Sequence, residues 1–106
     1  MTPVIVLTTV GAAFDAVPLA RDLVEQRLAA CVNIVDGVRS IYRWEGAIED
    51  DSERLLIVKT VQERVAALRD ALLARHPYEV PEFVVLPIEQ IEGPYRDWLI
   101  ASVSPA

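Results

Sequence analysis

One stretch of this 106-residue sequence limits the fold more than any other. It runs roughly from Cys31 to Thr60, as two strand-like arms meeting at Glu45-Gly46. The first arm, Cys31 to Trp44, would span ~46 Å at ~3.3 Å per residue. A domain of this length has a radius of gyration near ~13 Å, hence a diameter of only ~34 Å. Such a hairpin outgrows the body that carries it. Its outer half still holds Ile41, Tyr42, Trp44 and Ile48, and apolar side chains on a projecting ribbon need a cover. A second copy of the chain is the simplest cover, so the sequence predicts an oligomer.

The elements around the hairpin follow from periodicity. Val4 to Thr9 reads as a strand, and Gly11 ends it. Asp15 is placed to cap a helix in which Ala16, Ala20, Leu23, Val24 and Leu28 share one face, with Pro18 in the first turn. Asp36-Gly37 interrupts the first arm as a bulge or bend would. Thr60-Val-Gln-Glu63 has the form of a capping box opening a second helix along Val61, Val65, Leu68 and Leu72. Pro81 and Pro87 bracket a last core strand, Glu82 to Leu86, and Gly93-Pro94 starts a short C-terminal helix with Tyr95, Trp98 and Leu99. The order βαββαβ plus a helix predicts an α+β, ferredoxin-like sandwich, a four-stranded antiparallel sheet with two helices on one face. Many functions share that arrangement.

Composition removes several functional classes. The chain is 53% hydrophobic, too apolar for disorder, and its length suits one domain. A net charge of −6 with no Lys/Arg cluster argues against nucleic acid and against anionic membranes. The lone Cys31 precludes an intrachain disulfide and suits a reducing, cytoplasmic setting. The apolar run after Pro3 lacks the basic flank of a signal peptide, since the first basic residue is Arg21, and reads instead as a buried strand.

Few residues are equipped for chemistry. His76, the only histidine, either favours the carbonyl end of a helix or serves as metal ligand or proton shuttle with Glu79 nearby. Pro77 and Pro81 would hold His76, Tyr78, Glu79 and Glu82 in a fixed geometry. Cys31 is either a small buried hydrophobe or a soft ligand for copper, zinc or mercury. The acidic stretch from Glu49 to Glu53 lacks the pattern of a calcium loop and reads as a solvated strand end. Lys59 would meet a carboxylate or an anionic ligand. Tyr42, Trp44, Tyr78 and Trp98 suit either a flat ligand or an oligomer interface. No glycine-rich phosphate loop, paired-cysteine motif or HExxH occurs, and one Cys and one His give no nucleophile–base–orienter set. An enzyme is therefore not expected.

Three stretches together resemble the CutA family of divalent-cation-tolerance proteins. They are Leu28 to Ile34 with Val38 to Gly46, Leu55 to Thr60, and His76 to Glu82 with Leu86-Pro87; Tyr95 to Leu99 resembles the family's closing helix. The resemblance implies a homotrimer similar to PII-type signalling proteins, with hairpins pairing across subunits, and a role in tolerance to copper and other divalent ions. It implies metal binding through Cys31 and His76. One chain offers only one ligand of each kind, so Glu79, waters or a neighbouring subunit would complete a weak Cu or Zn site, and no organic cofactor is expected. The alternative it leaves is a signalling trimer whose intersubunit clefts, near Lys59 and the aromatics, take an anionic small molecule or a partner protein.

Overall fold

The computed structural model describes residues 1–105. Strand β1 (Pro3–Gly11) leads to helix α1 (Val17–Glu25), then to the long hairpin of β2 (Cys31–Trp44) and β3 (Ala47–Val61). A 3-10 turn (Gln62–Arg64) precedes helix α2 (Val65–Leu73), followed by the short β4 (Val84–Pro87) and helix α3 (Gly93–Val103). The sheet order is β2-β3-β1-β4, and all three pairings are antiparallel. The α+β, ferredoxin-like expectation is met. The hairpin gives the molecule its length: the principal extents are 45 × 27 × 22 Å.

Alternation along the strands divides the sheet sharply. Val4, Val6, Thr8 and Val10 of β1 face the helices with Leu56, Val58 and Thr60 of β3, and all are buried. Leu19, Leu23, Leu68 and Leu72 of α1 and α2 close this core. Burying each such leucine contributes about 1.5–3 kcal/mol. On the opposite face Ile5, Leu7, Leu55 and Ile57 are only partly covered, and Val84 and Leu86 are exposed. Helix α3 covers one end of the molecule through Leu99 and Val103, packed on Ala30 and Val61.

Several boundaries differ from the sequence reading. Thr60 and Val61 do not open a helix; they end β3, opposite Val4 and Pro3. The ladder holds Thr60's backbone, its hydroxyl donates to the Leu28 carbonyl at 2.7 Å, and Glu63 accepts from the Thr2 N–H instead of closing a capping box. Helix α1 stops at Glu25 rather than running through Leu28. Arg27 takes φ 59°, and the Arg27 and Leu28 N–H groups donate back to the Val24 and Leu23 carbonyls. That is a Schellman ending built without the usual glycine, so no sequence signal marked it. Asp15 does accept from the Val17 N–H at 3.1 Å, although the residue before the helix is Ala16. Strand β4 begins at Val84, two residues after the expected start, leaving His76 to Phe83 as irregular backbone.

Candidate functional site

The irregular segment after α2 folds against the foot of the hairpin and is anchored there by His76. The Tyr78 N–H donates to Nδ1 of His76 at 3.1 Å. That bond assigns the ring proton to Nε2, which lies 3.0 Å from the Thr9 carbonyl and 3.2 Å from the Thr8 hydroxyl. Burial pushes the His76 pKa below its ordinary value, partly offset by the Thr9 carbonyl and the charge of Glu53. The imidazole is therefore neutral at neutral pH, with both nitrogens engaged. Its first role here is to position Tyr78.

Tyr78 in turn reaches Glu53. Its hydroxyl donates to Oε2 at 2.5 Å, and burial together with this bond raises the phenol's pKa well above the usual range. Glu53 is only 6% exposed. Its other oxygen has no hydrogen-bond or ion-pair partner among the described residues. These groups belong to a cavity of about 530 Å³ lined by Thr9, Ser40, Tyr42, Trp44, Glu53, Pro77, Tyr78, Glu79, Val80 and Glu82. Three aromatic and three carboxylate side chains share it, and none of the lining residues is basic.

The hairpin supplies one wall because of its bulge. Val35 opposes Leu55 and Val38 opposes Glu53, so Asp36 and Gly37 together face Arg54 alone. Arg54 closes the kink by donating to Asp36 at 2.7 Å and to the Phe14 carbonyl. Beyond the bulge Ser40, Tyr42 and Trp44 project on the same side as Glu49, Asp51 and Glu53, whereas Ile41, Arg43, Ile48 and Asp50 project on the other. The acidic stretch is thus not one solvated unit. Asp50 accepts a bidentate pair from Arg39 at 2.7–2.8 Å, Asp51 accepts from the Tyr42 hydroxyl, and Glu53 is buried. The Asp51 bond and the neighbouring carboxylates push the Tyr42 pKa up to about 12.

Of the residues expected to form a site, Tyr42, Trp44, Tyr78, Glu79 and Glu82 come together here, with His76 behind Tyr78. The others do not join them. Lys59 lies 5.8 Å over the Tyr95 ring, and Tyr95 stacks obliquely on Trp98 at 5.3 Å, a separate cluster on α3. Cys31 is half-buried on the edge strand, level with Lys59 and hence with Ile5. That is roughly 10 Å along the strands from Thr8 and two strand spacings of ~4.8 Å across. Among the described residues no three His, Cys, Asp or Glu side chains gather as a metal site. Glu53, Ser40 and Thr9 were missed by the sequence reading; the shared parity of Glu53 with Leu55 and Ile57 was the available signal.

Comparison with known proteins places this architecture. Residues 4–102 match the family described as CutA1 divalent ion tolerance protein. The divalent-cation tolerance protein CutA of Thermus thermophilus is 50% identical over 95 residues, covering 90% of this chain and 92% of its own. Human protein CutA is 47% identical over 98 residues, but the match spans only 55% of the human protein. Among solved structures, the Thermus thermophilus Cut A1 protein superposes with a TM-score of 0.90 at 47% identity, over 96% of this chain and 99% of that one. The CutA1 structure from Oryza sativa gives 0.92 at 39% identity, over 100% and 97%. A relative from Archaeoglobus fulgidus, 36% identical with a TM-score of 0.90 over 96% and 99%, is described as a periplasmic divalent cation tolerance protein. On sequence and fold alike, this chain belongs to the CutA1 divalent ion tolerance family.

Proposed function

We propose that the chain serves divalent-cation tolerance as a homotrimeric, cytoplasmic metal-binding protein with no catalytic reaction. The observation that carries the assembly is the sheet face opposite the helices, where Ile5, Leu7, Leu55, Ile57, Val84 and Leu86 form a continuous apolar surface with no layer over it. The tip of the ribbon also leaves Ile41 69% and Ile48 62% exposed, on the other side of the sheet. Further copies of the same chain are the cover that suits both surfaces. Three is the number implied by the resemblance to the CutA family. The lone half-buried thiol of Cys31 suits a reducing compartment.

Copper or zinc is bound weakly in this reading, by ligands drawn from more than one copy. One chain keeps Cys31 apart from His76 and Glu79, and a closed zinc site needs four ligands. Cys31 is the better placed of the three, on an edge strand. His76 coordinates only by giving up the Tyr78 N–H at Nδ1 or its proton at Nε2. Light scattering should therefore give three times the 11.8 kDa chain mass, and calorimetry should show Cu(II) and Zn(II) binding without Mg(II). Cys31→Ser should weaken that binding more than His76→Ala. A monomer in solution, or equal affinity in all three proteins, would overturn the proposal.

The alternative, a signalling trimer with an anionic ligand, draws support from the presence of a cavity but not from its chemistry. Three carboxylates line it, and Lys59 is turned to Tyr95 elsewhere.

A further inference from the structure

The bulge in β2 sets an aspartate immediately before a glycine, at the point where the edge strand departs from its ladder. We infer that Asp36-Gly37 is a site of spontaneous aspartyl isomerisation, and that Arg54 is the residue that restrains the reaction. This concerns the backbone of the hairpin and rests on neither the metal-binding nor the trimer reading.

The chemistry needs only these two residues and water. The Gly37 main-chain nitrogen attacks Cγ of Asp36. A C–N bond forms, the C–O bond to the carboxyl hydroxyl breaks, and that hydroxyl leaves with the amide proton as water. The cyclic imide then takes water back at either of its carbonyls. Opening at one restores aspartate. Opening at the other leaves isoaspartate, whose main chain runs through the β-carboxyl and is longer by a methylene. Nothing is oxidised or reduced.

The local structure favours that attack. Asp36 is the only aspartate in the chain followed by glycine; at every other one, a side chain on the next residue crowds the nitrogen. Gly37 lies at φ 75°, and a Cβ built there would meet nothing within 4 Å, so the space about the bond is open. The Asp36 side chain is 75% exposed, within reach of water. Asp36 and Gly37 together face Arg54 alone, and the surplus residue of a bulge has no ladder partner to fix it.

One contact opposes the reaction. Nε of Arg54 donates to Asp36 at 2.7 Å, while Nη1 donates to the Phe14 carbonyl. The guanidinium is thereby braced between the bulge and the loop before α1. Such a charge-assisted bond fixes the direction of the carboxylate, whereas attack requires Cγ to turn onto the Gly37 nitrogen. Arg54 stands opposite the buried Val10, on the helix side of the sheet, so the contact lies away from the face left open. The bulge decides which ribbon residues share a side. A methylene added there displaces Ser40, Tyr42 and Trp44 relative to Glu53, and the outer hairpin loses its register.

The test is to age the intact protein for weeks at neutral pH in water enriched in heavy oxygen, then digest it for mass spectrometry. Each passage through the imide leaves a heavy oxygen atom in the peptide that carries Asp36, and electron-transfer fragmentation separates isoaspartate from aspartate. Label should enter at Asp36 ahead of every other aspartate, slowly in wild type. In Arg54→Lys and Arg54→Ala it should enter about threefold or more faster, with Asp51 unchanged. Arg39→Ala, which removes the exposed pair with Asp50, should match wild type at Asp36. Labelling at Asp36 no faster than at Asp51, or equal rates with and without Arg54, would overturn the inference. So would a parallel rise at Asp36 and Asp51 in the Arg54 variants, which would mark a general loosening of the fold.

Discussion

His76 and Thr60 show how single polar side chains hold this structure together from inside. The His76 pKa is lowered mainly by burial, so the folded protein binds fewer protons at this ring than the unfolded chain does. Stability from this group is complete above about pH 6.5, the ordinary imidazole value. It is lost as pH falls from there toward the depressed folded pKa, because the unfolded state takes up the proton first. Denaturant midpoints should therefore fall between about pH 7.5 and pH 5, and His76→Gln should fall less over the same range. A variant with the same pH slope as wild type would remove His76 from this role. Thr60 is fully buried and donates to the Leu28 carbonyl. Thr60→Val keeps the shape and deletes the donor, which should cost about 1–3 kcal/mol in chemical denaturation. An unchanged midpoint would show that the carbonyl is satisfied without it.

At the scale of elements, the hairpin owes its register to two backbone irregularities. The turn places both Glu45 (φ 49°) and Gly46 (φ 78°) in the left-handed region, as a two-residue primed turn between right-twisting strands requires. A Cβ at Gly46 would meet nothing within 4 Å, so the cost of adding one is conformational. Gly46→Ala should lower stability by about 1 kcal/mol. Glu45→Asn should raise it by a few tenths of a kcal/mol, asparagine being the better residue at that position. Opposite signs at adjacent residues in thermal or urea melts are the check; the same sign at both would mean the turn relaxes to another type. The bulge at Asp36-Gly37 has the larger structural consequence. It changes which residues beyond it share a side, bringing Ser40, Tyr42 and Trp44 over Glu53.

The whole molecule is built with one covered sheet face and one open one. Helices α1 and α2 bury the first over β1 and the inner half of β3, and the second has no helical layer over it. Up the ribbon Tyr42 and Trp44 continue the open side, while Ile41 and Ile48 continue the helix side beyond the reach of the helices and stay 69% and 62% exposed. Assembly should therefore draw on both sides of the ribbon. Ile48→Asp should shift the light-scattering mass toward a single chain at micromolar concentration, since it sets a charge in a surface that assembly desolvates. Trp44→Ala, on the open side, should lower the mass as well. An unchanged mass in both variants would take the ribbon out of the interface.

The α+β architecture, the over-long hairpin, its turn and its bulge were legible in the sequence because each rests on local chemistry: strand alternation, a glycine at positive φ, a proline opening α3. The aromatic and acidic residues of the site were legible one by one for the same reason. Tertiary structure alone decided how they group. Antiparallel pairing brought Glu53 level with Gly11 and beneath Tyr78, turning one residue of an acidic run into a buried carboxylate. The β1 ladder overrode the capping-box signal at Thr60, because pairing with Val4 satisfied the backbone that a helix start would have left open. A Schellman ending at Arg27 took the place of a glycine, its guanidinium donating to the Ser102 carbonyl at 3.2 Å near the end of α3. Contacts between residues more than 50 positions apart, such as His76 with Thr9, carry no local pattern. They exist only when the sheet is closed, and they set His76 to hold Tyr78 within the chain rather than to meet Cys31.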